Sequence, residues 1–453
     1  MVVLILAITF LSHYNIPSNG AGMAAKAVCS ARFVAGREDS AEQLLADDLA
    51  GASPAFAAVS ASIDEEQRSA TGSFLGLVHR TAVLLPDRGC VLDADPDPSA
   101  EPYAPTTGGG APWPEGDGLA AGATPQLQAV VDAAFEGAGD PAAANARAVA
   151  VVQDGKLLAL REAPGFEGGV ALHGWSMTKT VSAMLAYKKL QEVGVELDTT
   201  VVDSFPAGRE PAWVADWRSD ERSTITIRDL LFMVSGLDID EGYNPWDPVV
   251  QMLNGEEDMA AWAADHPSAS QPGTSWEYLS AVSNILSEVV RGQFTSDEEY
   301  WTYPEAALFD PIGVDSATLE TDTVGTWVAS SYLWASVADW ARFGQLMLRD
   351  GQWDGQQVLP RGWLDLASTS ALPSGDGAGY GAQSWLPGNP VGGECAATGM
   401  VPQDTVSMEG HWGQIVAMVP SRNAVVVRLG WTFDSDQFDS CRLVGDVLAA
   451  LPN

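Results

Sequence analysis

The chain has 453 residues, with 60 acidic side chains against 23 basic ones and a formal charge of −37. That excess repels phosphate backbones and anionic membrane surfaces, which excludes nucleic-acid binding or membrane adhesion through basic patches. With 46% hydrophobic and 18% charged residues, the composition is too apolar for disorder and supports a deep core.

Val2 to Leu11 (VVLILAITFL) form an uninterrupted apolar run, followed by Ser12, His13, Tyr14 and Asn15. The run is shorter than the roughly 20 residues a membrane helix needs, yet it has the length of an export-signal core. Its basic leader is missing, the first Lys or Arg being Lys26. Residues 1–20 are therefore expected to be a signal-like or anchor segment, with the protein exported, either periplasmic or membrane-anchored. A cytoplasmic protein with this run as a buried strand or helix is the alternative.

Residues 21–122 read as a helical or mixed extension ending in a Pro-, Gly- and acid-rich stretch, 93–122, that suits a surface linker or wrapping arm. Residues 123–453 form the main domain. A helix is expected over 125–137, with Pro125 in its first turn. Two strands then meet at Asp154-Gly155, a strong hairpin signal. The span 176–350 is mostly helical, and 414–431 is a second hairpin turning at Ser421 to Asn423. An antiparallel sheet assembled from both ends of the domain around a helical insert is an α+β layout.

The cysteines are Cys29, Cys90, Cys395 and Cys441, none in C-x-x-C spacing. Three pairings are open. Joining Cys29 to Cys90 and Cys395 to Cys441 keeps each loop within one region, and four free thiols in a reducing compartment is the competing expectation.

Among five lysines, only Lys179 has a serine three residues before it, in GWSMTKTVSAMLAYKKL. The stretch from Ser176 to Leu190 reads as a helix with Val181, Met184 and Leu185 on its buried side. Ser176 then lies in the first turn, on the same face as Lys179. A helix N-terminus and burial both disfavour the ammonium, and a neutral amine can take the serine proton and create a nucleophile. An N-capping serine with a surface lysine is the structural alternative. The scattered histidines, the missing second glycine of a G-x-S-x-G elbow and the absence of a phosphate loop speak against metal, esterase-elbow and nucleotide chemistry. No metal and no cofactor is expected.

GWSMTKT resembles the first motif of the serine β-lactamase and penicillin-binding superfamily, and more narrowly that of the β-lactamase-related esterases and 6-aminohexanoate-dimer hydrolases. TITIRDLLFMVSGL (224–237), PGTSWEYLSAVSNILSEVV (272–290), SSYLWASVADWARFGQLMLRDGQWDGQQVLP (330–360) and EGHWGQIVAMVP (409–420) resemble later family stretches in the same order. The resemblance implies a β-lactamase/transpeptidase-like fold and a serine hydrolase that cleaves a small-molecule amide or ester through an acyl-enzyme.

By the same resemblance, Ser176 is the nucleophile, Lys179 its proton partner, and Tyr278 a second acid/base with phenolate character favoured by Lys179. His411, Trp412 and Gly413 form the edge strand beside the substrate, and the N–H groups of Ser176 and Gln414 the oxyanion hole. Relatives place a polar residue two after the tyrosine, here Ser280, while Asn284 braces the helix. Where relatives carry K-T-G this chain has His411-Trp412-Gly413, so efficient β-lactam hydrolysis is not expected. The aromatic residues Trp175, Trp412, Tyr243 and Trp246 suit an apolar or flat acyl group. Two other functions share the motifs: a slowly turning-over penicillin-binding or cell-wall sensing protein, and a non-catalytic scaffold.

Overall fold

The computed structural model describes residues 15–49, 51–105, 111–121, 124–387, 395 and 399–452. The apolar run Val2 to Leu11 lies outside these residues. Helix α1 (Ile16–Cys29) comes first, with Pro17 in its first turn. After α2 (Ala41–Asp48), capped by the Ser40 hydroxyl, comes an antiparallel meander of β1 (Val59–Asp64), β2 (Ser69–Phe74), β3 (Val78–Leu85) and β4 (Gly89–Leu92).

Helix α1 lies across this meander on the small residues Ala21, Ala24, Ala25 and Val28, all fully buried. The approach is close enough that a Cβ on Gly72 would stand 2.0 Å from the Ala21 carbonyl oxygen. A disulfide joins Cys29 at the end of α1 to Cys90 on β4, and a second joins Cys395 to Cys441. Both are the pairings that keep each loop local. Within the acid-rich stretch, residues 111–121 pack on the rest of the chain: Trp113 is buried, and Arg342 donates to the carbonyls of Pro114 (2.9 Å) and Gly116 (3.1 Å).

The main sheet is five-stranded and antiparallel, and its members come from both ends of the domain. Helix α3 (Pro125–Glu136) precedes β5 (Ala146–Gln153) and β6 (Lys156–Glu162). Asp154 and Gly155 between them have φ of 51° and 69°, the backbone twist a two-residue hairpin requires. A short sheet of β7 (Leu172–His173), β8 (Thr318–Leu319) and β9 (Leu333–Ala335) brackets the helical middle, which includes α4 (Met177–Val193), α5 (Ser280–Arg291) and α6 (Val337–Leu348). A small hairpin of β10 (Gln352–Trp353) and β11 (Gln356–Gln357) follows. The chain then returns as β12 (Val406–Gly410), β13 (Gln414–Val419), β14 (Ala424–Gly430) and α7 (Ser440–Ala450). Strand order is β12-β13-β14-β5-β6, so the first and last strands of the domain pair at the centre.

The sheet's period-two alternation sorts its side chains onto two cores. Val149, Val151, Ile415, Val419 and Val426 face α3 and α7, through Leu127, Val131 and Val447. Ala150, Val152, Val416 and Val427 belong to the larger core that holds α4 and α6, with Trp340 and Phe343. Helix α4 is not amphipathic, contrary to the one-sided burial expected from its sequence. Met177 to Tyr187 are buried all round, Lys179 and Ser182 included, because the helix runs through the middle of the molecule.

Candidate active site

The backbone leaves β7 through Gly174 and Trp175, and Trp175 adopts φ of 47°. Left-handed backbone at a bulky residue costs roughly 1–2 kcal/mol. Here it turns the chain sharply into α4. Ser176 occupies the position just before the first helical residue, and its hydroxyl does not cap the helix. It meets Lys179 Nζ instead, at 2.9 Å.

Lys179 is 1% exposed, and its ammonium group has three partners: Ser176 Oγ, Ser280 Oγ (3.0 Å) and the Ser330 carbonyl oxygen (3.0 Å). Burial lowers its pKa to about 8, against the opposing pull of Glu241. Glu241 accepts hydrogen bonds from the Ser280 N–H (2.7 Å), the Ser280 hydroxyl (2.5 Å) and the Tyr243 hydroxyl (3.0 Å). Burial raises the Glu241 pKa, while Lys179 draws it down.

These contacts prescribe a proton count. The Ser280 hydrogen is committed to Glu241, so Ser280 Oγ is left to accept from Lys179, as the Ser330 carbonyl must. A neutral lysine amine has two hydrogens and one lone pair. In the ammonium form the third hydrogen is donated to Ser176 Oγ; once that proton is lost, the two hydrogens left serve Ser280 and Ser330, and the lone pair faces the Ser176 hydroxyl.

Tyr278 joins the cluster, its ring centroid 4.7 Å from Lys179 Nζ. Its ring stacks on Trp385 (5.0 Å) and meets Tyr380 edge-on (5.9 Å). The expected phenolate character is not found. Burial pushes the Tyr278 hydroxyl pKa far up, Glu241 adds to that, and the hydrogen bond with Ser176 offsets only part. Burial, with Glu241 adding to it, therefore keeps Tyr278 a neutral phenol.

His411, Trp412 and Gly413 also depart from expectation. They are the three-residue turn between β12 and β13, not an edge strand. Trp412 (φ 61°) and Gly413 (φ 84°) supply the left-handed backbone a turn this tight needs. The Gln414 side chain clamps the turn, donating to the His411 carbonyl (3.0 Å) and accepting from the Gly430 N–H (2.9 Å). The edge strand beside Ser176 is β12, where a Cβ on Gly410 would stand 2.2 Å from the Gly174 carbonyl oxygen. Only glycine allows that approach. Burial lowers the His411 pKa to about 4, so its ring is neutral.

Asn284 lies outside the proton network, and its Oδ1 accepts from the Ser330 N–H (3.2 Å). It thereby holds the peptide whose carbonyl receives Lys179. Glu241 escaped sequence reasoning because it falls in no motif, and Ser330, though it opens the 330–360 stretch, acts through its backbone carbonyl, which no side-chain pattern marks. A buried lysine 62 residues before an acidic residue carries no local signal.

Ser176 opens onto a cavity of about 490 Å³, a size common among small-molecule sites. Trp175, Tyr243, His411 and Trp412 form its near wall, and Trp175 meets Trp412 edge-on at 5.4 Å. Trp246 is exposed and is not among the lining residues.

A serine held by a buried lysine at the head of a central helix, with a tyrosine alongside and an antiparallel sheet at its flank, is a constellation of acyl-transferring serine enzymes. The family model described as Beta-lactamase matches residues 131–444, and the chain belongs to that family, whose members are serine hydrolases. Solved structures show the same fold. A candidate 6-aminohexanoate-dimer hydrolase from Bacillus anthracis is 20% identical with a TM-score of 0.55, over 68% of this chain and 81% of that one. A penicillin-binding protein homologue from Caulobacter crescentus is 14% identical with a TM-score of 0.54, over 74% and 99%. EstA from Arthrobacter nitroguajacolicus Rue61a is 14% identical with a TM-score of 0.54, over 73% and 97%. No curated protein matches the chain at a significant level.

Proposed function

We propose that the protein hydrolyses a carboxylic ester or amide through an acyl-enzyme on Ser176. The observation that carries this reading is the buried Lys179 nitrogen 2.9 Å from Ser176 Oγ, with Ser280 Oγ and the Ser330 carbonyl as its other acceptors, so that loss of one proton leaves a lone pair facing the Ser176 hydroxyl. Lys179 takes the Ser176 proton as Oγ attacks the substrate carbonyl. The backbone N–H groups of Ser176 and Gln414 receive the oxyanion; the Gln414 side chain is already spent on its turn. Tyr278, a neutral phenol, gives a proton to the departing alcohol or amine and regains one from the Lys179 ammonium. Water then enters, loses its proton to the same pair, and releases the acid.

The substrate is a small molecule, and esters or amides are preferred over β-lactams. Neutral His411 stands where relatives carry a lysine, so it offers no cation to a β-lactam carboxylate. The two disulfides support export to an oxidising compartment, periplasmic or membrane-anchored.

The test is intact mass after exposure to a fluorophosphonate probe, with Ser176→Ala in parallel. One adduct on the wild type and none on the variant is expected. A folded wild type that stays unlabelled would remove the nucleophile from the reading.

A further inference from the structure

We propose that the N-terminal extension completes the substrate pocket and that helix α1 selects an uncharged, elongated apolar acyl group such as a medium-chain fatty acyl. The proposal rests on the Ser176 hydrolase reading. It concerns a segment that precedes the family match, which begins at residue 131.

The cavity that opens at Ser176 continues past His173 and Trp334 to α1. On that helix Ile16, Gly20, Met23 and Ala27 all line it, at spacings of four, three and four that stack them on one face. The adjoining face carries Ala21, Ala24, Ala25 and Val28 and is spent on the meander. Helix α1 therefore presents one face to its own sheet and another to the reaction cavity of the neighbouring domain. Phe56 and Phe74 extend the apolar wall.

The charged side chains on the cavity wall are all engaged. Lys26 is ion-paired with Glu320, and Glu320 also accepts from Ser30 (2.8 Å), the Cys90 N–H (2.8 Å) and Trp334 Nε1 (2.9 Å). Asp48 is paired with Arg147 at 2.6 Å. A charged ligand would have to break one of these pairs, whereas an apolar chain needs none of them. The remote end suits the acyl part because that part stays bonded to Ser176 through both half-reactions. The leaving group, by contrast, must depart to admit water.

The assay is kcat/KM on p-nitrophenyl esters from acetate to decanoate, for the wild type and for Met23→Trp, Ala27→Leu and Met23→Ala. Full burial is worth up to roughly fourfold per methylene, so a wild-type preference for octanoate over acetate of at least about tenfold is expected. Met23→Trp and Ala27→Leu should cut the octanoate-to-acetate ratio about tenfold, and Met23→Ala should move the optimum to longer chains. Fluorophosphonate labelling of every protein separates the two levels. A flat wild-type profile, or variants that label normally with an unchanged ratio, would overturn the pocket assignment alone. An unlabelled wild type would overturn the hydrolase reading and the pocket with it.

Discussion

Replacing Glu241 by glutamine removes a charge from the back of the proton network while keeping the side chain's shape. Ser280 Oγ lies 3.0 Å from Lys179 Nζ and 2.5 Å from the Glu241 carboxylate, so the two charges are at most about 5.5 Å apart. At an effective dielectric of about 20, that separation corresponds to about 3 kcal/mol, or about two pK units. Glu241 raises the Lys179 pKa, so its removal must lower it. The acid limb of kcat/KM, which reports the free enzyme, should then move down by one to two units from about 8. More of the amine is neutral at pH 7, but the alkaline plateau should fall because Ser280 is less firmly held. The profile is measured on a neutral ester in a pH-stat, with Ser176→Ala as the blank. A limb that stays in place or moves upward would refute Lys179 as the base facing Glu241.

Tyr278→Phe should keep the fold and the Trp385 stack but lose about 10²–10⁴ in kcat, the usual share of a general acid; wild-type turnover in steady-state assays would remove Tyr278 from the mechanism. The double variant Cys29→Ala with Cys90→Ala opens a loop of 61 residues, for which chain entropy predicts a loss of about 4 kcal/mol. Denaturant unfolding should show it, and an unchanged midpoint would argue against the link. His173 is buried, donates its Nε2–H to the Ser331 carbonyl (2.7 Å), and has its pKa lowered to about 3 by burial. The unfolded ring takes a proton below about 6.5 while the native ring refuses it, so stability should fall as pH drops from about 6.5 towards 3, by up to about 1.4 kcal/mol per unit. In His173→Gln that slope should be shallower by one proton, as read by thermal unfolding across pH.

The features legible in the sequence were those encoded over short distances. Ser176 and Lys179 are three apart on one helix, so their encounter needs only helical geometry. Asp154-Gly155 specifies its hairpin because few other dipeptides tolerate two left-handed residues. The same holds for the ordered family stretches, which are local strings.

Other features arose from contacts between distant segments. The lysine's proton count depends on Glu241, Ser280 and Ser330, three separate parts of the chain. The neutral state of Tyr278 follows from its burial, reinforced by Glu241, which no spacing encodes. His411 to Gly413 form a turn because Gln414 and Gly430 clamp them across the sheet. In sequence, helix α1 straddles a segment read as signal-like (1–20) and a helical or mixed extension (21–122); only its docking shows that one of its faces lines the cavity. The chain's local pattern thus determined the fold class and the pairing of Ser176 with Lys179. Tertiary packing decided their protonation and the shape of the pocket, because desolvation and charge pairing depend on which remote groups come to lie alongside.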